Sequence, residues 1–440
     1  MARSLPPGLW GLACAGGELS LEGTALAGLA ERWGSPLFVV DGAAVEENVR
    51  RFRRVPPGGS VEVDVFYSYK TNPVVELLRR LSGLGVGAEV VSPYELWLAR
   101  RLGVEPSRIV YNGPGKTPAF ARTLVDSDLL VTHLNHREEI GVLARAAAER
   151  GRRTAVGIRV ATSDSWSGKF GVPIAGGRAL AAYEEALACA SLRVVGVHAH
   201  RGTAIEDADT LVRFVREVLE FCDTLHARLG LDVELLDLGG SLAAPTVLPL
   251  DASTLPVGEQ VAGRLSVEEY LGVLVGEVEA HFGRAGRPAP RVLLEPGRAM
   301  TADTQLLLCR VASLNAAGPG PAHAILDAGE NIAHILHREY HEIFHTGRWG
   351  QGPALPYVLD GPTCSPMDRL RDAVELPLLR VGDTLAVMDA GAYLVPFSNS
   401  FCFPQPGIVL LDGGRETLIR RPETYEDMIA RDLAAAGGTL

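Results

Sequence analysis

Short apolar runs alternate with amphipathic stretches between residues 63 and 295. The apolar runs are rich in β-branched residues, which is typical of buried parallel strands. Eight runs of this kind predict strands at 63–69, 88–92, 108–112, 129–135, 154–160, 194–200, 233–239 and 291–297. Apolar residues at spacings of three and four predict helices between them, among others at 136–151, 209–230 and 266–282.

Eight strands, each followed by a helix, predict an α/β fold, a TIM-like (β/α)8 barrel over residues 37–298. An open, doubly wound sheet is the alternative, because a strand count does not show that the sheet closes. In a barrel, functional residues lie at the carboxyl ends of the strands. The polar and glycine residues found there are Lys70, Glu89, His200, Gly239, Gly240 and Glu295.

The pattern of apolar and turn-forming residues changes after residue 300. Short β-rich runs are separated by Gly and Pro turns, which predicts a C-terminal all-β domain over 299–440. A hairpin-like stretch within residues 1–36 is expected to join this domain, and 423–436 reads as a closing helix.

Composition and charge exclude several classes of protein. The net charge of −11, with no basic run, argues against a nucleic-acid partner. The six cysteines are scattered without a CxxC pair, so neither a disulfide framework nor a zinc knuckle is expected. No apolar stretch approaches the roughly 18 residues of a membrane span, and the N-terminus is a poor signal peptide. We therefore expect no membrane partner and a cytoplasmic location.

Lysine is rare in this chain. Only Lys70, Lys116 and Lys169 occur in 440 residues, and every other cationic side chain apart from histidine is arginine. Codon bias could leave a few lysines by chance. A lysine amine, however, can lose its proton and form a Schiff base, which a guanidinium cannot. Lys70 ends the first predicted strand and is therefore a candidate for covalent chemistry.

Three motifs suggest other functions. HEIFH at 341–345 matches the zinc-peptidase pattern HExxH, although the next residues break a helix and no third ligand follows at a familiar spacing. HAH at 198–200 fits either a metal pair or a histidine packed over a planar ligand. GPGKT at 113–117 fails as a P-loop, because the first glycine of that motif would fall on Val110. No metal site is predicted.

Two glycine turns point to a phosphate. DLGGS at 237–241 and EPGR at 295–298 each follow a predicted strand. Glycines at strand ends let backbone N–H groups approach a phosphate, and Arg298 adds a charge-assisted donor. Two ordinary tight turns are the alternative interpretation.

These motifs belong to a longer ordered set. The set comprises FYSYKTNP, GAEVVSPYEL, SGKFGV, GVHAHRGT, LDLGGS, LEPGR, GPTCSPMD and GDTLAVMDAGAY. In this order they resemble the fold-type III amino-acid decarboxylases of the diaminopimelate/ornithine decarboxylase family, from about residue 35 to 405. The resemblance implies a barrel that binds pyridoxal 5'-phosphate, of the architecture also found in alanine racemases, followed by a β domain.

The resemblance also implies roles for individual residues. Lys70 would form the Schiff base, Glu295 would hold the pyridine nitrogen protonated, and His200 would stack on the ring. Cys364 would act at Cα after decarboxylation, and in this family it comes from the partner subunit, which implies a homodimer with shared active sites. Glu89 stands where an aspartate is more usual. The cofactor phosphate would be bound by Gly239, Gly240, Gly297, Arg298, Tyr393 and Thr203, the last in place of the usual serine.

The sequence departs from the family where the far end of the substrate would bind. Diaminopimelate decarboxylases carry an Arg-Pro segment before a tyrosine, and 331–343 lacks it. The residue after the cysteine is Ser365 instead of Asp or Glu, although Asp368 follows closely, and Arg338 lies in the altered segment. The expected substrate is therefore a different amino acid, free or carrier-tethered, of a specialised pathway such as siderophore or antibiotic biosynthesis.

Other functions stay open at this level. A true meso-diaminopimelate decarboxylase is the nearest alternative. A racemase would share the lysine and the barrel, but racemases of this kind usually place arginine, not glutamate, at the pyridine nitrogen. A catalytically inactive regulator would not need Lys70, His200, Glu295 and Cys364 together. The zinc peptidase is the most distant alternative.

Overall fold

The computed structural model describes residues 5–54, 61–165, 168–202, 204–249, 257–316 and 320–436. The chain divides into two compact units. One comprises residues 48–243 and 263–300, and the other comprises 1–47, 244–262 and 301–440.

The first unit is a closed barrel of eight parallel strands. Hydrogen bonding joins each strand to the next in chain order, and the eighth strand pairs with the first. Closure excludes the open doubly wound sheet and confirms the predicted barrel. The strands are Val63–Ser68, Gly87–Val90, Ile109–Tyr111, Val131–Leu134, Thr154–Ala161, Leu192–Ala199, Leu235–Asp237 and Arg291–Leu294.

An apolar layer fills the barrel interior. Six strands each contribute one buried side chain to a single cluster, which a closed barrel permits only inside. Gly87 makes room for this layer, because a Cβ there would lie 2.3 Å from the ring of Phe66. The cluster consists of Phe66, Val110, Val131, Val195, Leu235 and Leu293.

Helices follow the barrel strands and begin at recognisable caps. Ser92 and Thr117 each accept a backbone N–H of the first turn, and Ser266 forms a full capping box with Glu269. The helices are Val75–Gly83, Pro93–Arg101, Pro118–Ser127, Glu138–Glu149, Arg178–Ala188, Ala208–Leu229, Val267–Ala285 and the short Arg298–Thr301. Gly42–Phe52 precedes the first strand.

The second unit is built on a mixed β-sheet. Its strands, in spatial order, are Arg369–Leu376, Leu355–Asp360, Ala322–Leu326, Gln305–Asn315, Leu37–Asp41, Gly407–Asp412 and Arg415–Arg420. Thr384–Val387 also pairs with Gln305–Asn315 and with Ile343–His345. This architecture confirms the predicted β domain.

Smaller elements complete the second unit. Ala13–Ala15, Glu18–Leu21 and Thr24–Ala25 form an antiparallel meander, and Leu26–Trp33 follows as a helix. Leu248–Pro249 pairs with Glu339–Tyr340. The remaining helices are Val257–Ala262, Glu330–Ala333, Leu394–Phe397 and Tyr425–Ala436.

The division of the chain differs from the predicted boundary at residue 37. Leu37–Asp41 pairs antiparallel with Gln305–Asn315 and parallel with Gly407–Asp412, so it is a central strand of the β unit. Residues 244–262, which lie within the predicted barrel segment, also group with the β unit. A buried apolar strand looks the same in either sheet, so its sequence could not show which sheet it joins.

The zinc-peptidase interpretation of HEIFH is wrong. Ile343–His345 is a strand, whereas the motif requires both histidines on one face of a helix. His341 Nδ1 lies 2.9 Å from the carbonyl of Met388, and His345 Nδ1 accepts the backbone N–H groups of Gly347 and Arg348. Within the described part of the chain, no helix is both long and apolar enough to cross a bilayer.

Candidate active site

Most of the predicted barrel residues come together at the carboxyl ends of the strands. Lys70 lies in a short turn directly after the first strand, and Glu89 is in the second. His200 follows the sixth strand by one residue, and Glu295 follows the eighth by one. Gly239 follows the seventh strand. These ends meet because all eight strands run in the same direction.

Lys70 presents its amine beside a buried carboxylate. Its Nζ lies 2.7 Å from Oε2 of Glu89, and it also donates to the hydroxyl of Ser68. The Lys70 side chain is 43% exposed, whereas that of Glu89 is 1% exposed. The amine is therefore held by an ion pair on one side and is accessible to a ligand on the other.

Glu295 is a buried carboxyl group, and His198 Nε2 lies 3.6 Å from its Oε2. Burial, followed by the charges of Asp237 and Glu89, raises the pKa of Glu295 well above its usual range. Asn112 donates to Glu295 Oε1 and, at 3.1 Å, to Glu89 Oε1. A carboxyl group in this position ionises readily only when a ligand brings a cation to it.

His200 is a neutral ring in a fixed orientation. Burial, followed by the charges of Arg159 and Lys70, lowers the pKa of His200 to about 3. The N–H of Gly240 donates to His200 Nδ1 at 3.2 Å, so the ring proton lies on Nε2. An uncharged imidazole can pack against a flat apolar ring without a desolvation cost for charge.

Glycine is required at three positions, two after the seventh strand and one after the eighth. A Cβ at Gly239, where φ is +66°, would lie 2.3 Å from His200 Nδ1. A Cβ at Gly240 would lie 2.1 Å from the carbonyl oxygen of Glu295, and one at Gly297 would lie 2.2 Å from Thr71 Oγ1. Without side chains at these positions, the backbone of the two turns packs directly against His200, Glu295 and Thr71. Arg298 follows Gly297 directly and begins a short helix.

Comparison with known families decides the class of this site. A family model described as "Pyridoxal-dependent decarboxylase, pyridoxal binding domain" matches residues 43–302, more than half of the chain. The chain belongs to this family. It is a carboxy-lyase whose cofactor is pyridoxal phosphate, so the resemblance found in the sequence is confirmed. Decarboxylation, not racemisation, is the chemistry of this family.

Similarity to individual enzymes extends along the whole decarboxylase. Diaminopimelate decarboxylase of Aquifex aeolicus (strain VF5) is 30% identical over 432 residues, 95% of this chain and 96% of its own. The enzyme of that name from Actinosynnema pretiosum subsp. auranticum is 30% identical over 98% of this chain and 96% of its own. A crystal structure of diaminopimelate decarboxylase from M. jannaschii, 27% identical, superposes with a TM-score of 0.87 over 96% of this chain and 97% of that one.

The barrel residues fit pyridoxal phosphate. This cofactor needs an amine to attach to, an anion site for its phosphate and a carboxyl group for its ring nitrogen. The described barrel offers Lys70 as the amine, the buried Glu295 as the carboxyl group and, for the phosphate, the adjoining glycine turns at 239–240 and 297, the second of which leads into Arg298. When bound, pyridoxal phosphate accepts the electron pair left behind as CO2 departs.

The other predicted residues of the decarboxylase lie in the β unit, apart from Thr203, which is outside the described residues. Cys364 is exposed in the turn after Leu355–Asp360, and Ser365 Oγ accepts the N–H of Met367 at 3.2 Å. Arg338 is exposed after a short 3-10 turn. Tyr393 has a φ of +66° and stacks on Phe397 at 5.9 Å.

Asp368 has different partners from the substrate contact predicted for it. It is 4% exposed and accepts the N–H of Glu330 at 2.6 Å. Its other oxygen accepts the N–H and the hydroxyl of Thr363 at 2.8 and 2.6 Å. Its backbone closes the same loop, because its carbonyl accepts the N–H of Gly361. Asp368 therefore holds the loop that carries Cys364.

We expect Asp368→Ala to lower the free energy of unfolding by about 2–3 kcal/mol, because three partly buried donors lose their charged acceptor. Urea denaturation measures the loss, and faster amide exchange at Glu330 and Thr363 locates it. Asp372→Ala is the control, since that side chain is 86% exposed, and its effect should stay within about 0.5 kcal/mol. Equal effects of the two substitutions would contradict the clamp.

Lys116, unlike Lys70, is a buried lysine with structural contacts. Its Nζ is fully buried, lies 2.8 Å from Glu139 Oε2 and donates to the carbonyl of Gly113. Burial lowers the pKa of Lys116, while Glu139 opposes that shift. Glu139 also accepts the N–H groups of Gly115 and Asn135. The Lys116–Glu139 ion pair holds the loop after the third barrel strand in place. Lys169, in contrast, is exposed.

Sequence reasoning missed several polar residues inside the barrel. Asn112 bridges Glu89 and Glu295, and Asp237, two residues before Gly239, accepts the N–H of that glycine. The only sequence signal for Asp237 was its place in DLGGS, a motif that was interpreted through its glycines as a phosphate-binding turn. Asn112 gave no signal, because an asparagine after a strand is ordinary.

Proposed function

We propose that this enzyme decarboxylates an α-amino acid whose far end differs from that of meso-diaminopimelate. The observation that carries the proposal is that the loop around Cys364 offers no available carboxylate to a substrate among its described residues 361–368. Ser365 brings no charge, and both oxygens of Asp368 already accept hydrogen bonds from partly buried donors of Glu330 and Thr363. A distal ammonium placed in a dry pocket needs a carboxylate, and without one it retains a desolvation cost of several kcal/mol, on the order of the penalty for a buried ion.

The same proposal assigns a task to each barrel residue. Lys70 attaches the cofactor and receives its orientation from Glu89. Glu295 would face the ring nitrogen as a carboxylate and keep that nitrogen protonated, so that the ring can accept electrons. His200 packs on the ring face as a neutral imidazole. Gly239, Gly240, Gly297 and Arg298, with Thr203 and Tyr393, bind the phosphate.

Cys364 is assigned to protonation at Cα, in an active site shared by two copies of the chain. Its thiol is exposed, which leaves it accessible to a partner's barrel. Phe397 and Phe401, in the same β unit, are 56% and 55% exposed, and large exposed apolar side chains are typical of interfaces. The proposal therefore includes a homodimer. It also places the enzyme in the cytoplasm, since all six cysteines are free.

The substrate belongs, in this proposal, to a specialised pathway and is carboxylate-bearing, bulky or carrier-tethered. Arg338 is exposed close to the altered segment and offers a cation for an acidic group. A second candidate is meso-diaminopimelate itself. It is favoured by the names of the relatives, which are similar to this chain over about 95% of its length.

A substrate panel separates the two candidates. We expect meso-diaminopimelate, lysine and ornithine to be poor substrates and a larger, acidic or carrier-bound amino acid to be better, measured as kcat/KM for CO2 release. A kcat/KM for meso-diaminopimelate of roughly 10⁴ M⁻¹s⁻¹ or above, typical of efficient enzymes, would refute the proposed substrate and favour the second candidate.

Two substitutions of Ser365 test whether the missing carboxylate is what makes meso-diaminopimelate a poor substrate. Ser365→Glu restores a carboxylate beside the cysteine and should raise kcat/KM for meso-diaminopimelate more than for a monocarboxylic, monoamino substrate. Ser365→Gln, which has the same length without the charge, should not.

A further inference from the structure

A single asparagine side chain joins the two acidic residues assigned to the cofactor. Asn112 lies directly after the third barrel strand and is 4% exposed. Its Nδ2 donates to Oε1 of Glu89 at 3.1 Å and to Oε1 of Glu295. An amide nitrogen carries two hydrogens, so each carboxyl group receives one of them. Both donors of this side chain are therefore used by the two carboxyl groups.

The orientation of the Asn112 amide follows from these partners. If the amide were turned over, Oδ1 would face two carboxyl oxygens, and all of these atoms are hydrogen-bond acceptors. In the observed orientation, Oδ1 is buried and has no hydrogen-bond partner within the described part of the chain. An unpaired buried acceptor costs free energy, which hydrogen bonds to acidic groups can offset. The contacts with Glu89 and Glu295 thus determine how the amide is placed.

The backbone of Asn112 is held on both sides. Its N–H donates to the carbonyl of Val90 at 2.9 Å, and its carbonyl accepts Nδ2 of Asn135 at 2.7 Å. The N–H of Asn135 donates to Glu139 Oε2 at 2.8 Å, the oxygen that also pairs with the buried Lys116. These bonds connect the ends of the second, third and fourth barrel strands. The amide is therefore presented from a fixed position.

The contacts with Asn112 leave the second oxygen of each carboxyl group for other partners. Oε2 of Glu89 lies 2.7 Å from Lys70 Nζ. Oε2 of Glu295 lies 3.6 Å from His198 Nε2. Because Asn112 engages Oε1 of both groups, it fixes the rotation of both. One amide thus sets the orientation of the carboxylate beside the attachment lysine and of the carboxyl group assigned to the ring nitrogen.

We propose that Asn112 is a positioning residue that orients the cofactor in the barrel by holding Glu89 and Glu295 in a fixed relation to each other. The inference rests on the proposed roles of Lys70 and Glu295. Through Glu89, Asn112 holds the amine to which the cofactor attaches. Through Glu295, it holds the contact with the ring nitrogen. Asn112 takes no part in bond making, so its removal should change the affinity for the cofactor and the orientation of the ring.

The test replaces Asn112 by a side chain of similar volume that has no donor. Pyridoxal phosphate is titrated into the full-length chain freed of cofactor, and the visible circular dichroism of the bound cofactor reports the orientation of the ring. We expect Asn112→Leu to lower the cofactor affinity about tenfold or more, as is typical when a residue that orients a binding group is lost. The visible ellipticity per bound cofactor should also change. Wild-type affinity and ellipticity would overturn the inference.

Tyr183→Phe is the control for a purely structural effect. Tyr183 is fully buried in the same unit, and its hydroxyl donates to the carbonyl of Gly196 in the sixth barrel strand at 2.8 Å. This substitution removes a buried donor and should lower the free energy of unfolding, but it should leave the affinity and the ellipticity unchanged. Equal losses of affinity in Tyr183→Phe and Asn112→Leu would assign the effect to general loosening of the barrel and refute the inference.

A double-variant cycle tests whether Asn112 acts through its partners. In Glu295→Gln, residue 295 no longer makes the charged contact that Asn112 orients. Adding Asn112→Leu to this background should therefore lower the cofactor affinity by a smaller factor than in wild type. Equal factors in the two backgrounds would show that Asn112 does not act through Glu295, which contradicts the inference.

Two further variants separate the inference from folding and from the proposed function. If Asn112→Leu does not fold, Asn112→Ser replaces it, because a hydroxyl has one hydrogen and cannot supply both carboxyl groups. Wild-type affinity and ellipticity in that variant would also overturn the inference. Glu295→Gln alone tests the proposed function, since an unchanged affinity and visible spectrum there would remove the role of Glu295. An effect of Glu295→Gln without any effect at Asn112 would remove only the inference.

Discussion

Lys70→Arg is expected to abolish turnover, with kcat lowered by about 10⁴-fold or more, because a guanidinium cannot condense with the cofactor aldehyde. The substitution keeps a cation beside Glu89, which now pairs with Lys70 Nζ at 2.7 Å, so the barrel should still fold. Activity is measured as CO2 release at saturating cofactor, and circular dichroism checks the fold.

Lys169→Arg is the matched control for this prediction. Lys169 is exposed and lies over the ring of Phe170 at 5.1 Å, a contact that an arginine can reproduce. Activity within a few-fold of wild type is expected. Turnover by Lys70→Arg comparable to wild type would refute the assignment of Lys70 and reopen the interpretation of this fold as a non-catalytic regulator.

Hybrid dimers of Lys70→Ala and Cys364→Ala are expected to form the amine product at a rate that neither parent homodimer reaches. If each active site combines Lys70 of one subunit with Cys364 of the other, a hybrid has one site with both defects and one intact site. Random reassociation makes half of the dimers hybrids, so about a quarter of wild-type activity should return. Differently tagged subunits allow the hybrid itself to be purified and assayed.

The parent Cys364→Ala homodimer supplies a second readout. It should still release CO2 slowly but form transaminated by-product, because the proton no longer reaches Cα. Purified hybrids without activity would refute the shared site, while clean product from Cys364→Ala would remove the thiol from the proton transfer. Asp368→Ala homodimers should resemble Cys364→Ala in kind, since Asp368 holds the same loop.

Local sequence patterns were enough to predict the secondary structure of the barrel and the chemical class of the enzyme. Strand runs and helical spacing are local, and each of the eight predicted strands is present. The ordered motifs led to the family, and the lysine in FYSYKTNP singled out Lys70 because its chemistry cannot be replaced by that of arginine. Roles for individual residues remain predictions, since they depend on a bound cofactor and substrate.

Tertiary structure decided what depends on contacts between distant residues. Closure requires the strand Arg291–Leu294 to pair with Val63–Ser68, and no local pattern encodes that pairing. The strand Leu37–Asp41 joins the β unit because its partners are there, although its sequence suits either sheet.

The same holds for side chains. Asp368 looked like a substrate contact from its spacing, but the fold surrounds its carboxylate with backbone donors. Asp237 and Glu295 lie far apart in sequence, and their carboxylate oxygens come within 4.8 Å because neighbouring strands of the closed barrel end side by side. The sequence thus supplied the ionisable groups, whereas burial and proximity, which set their charges, arose only from the closed barrel.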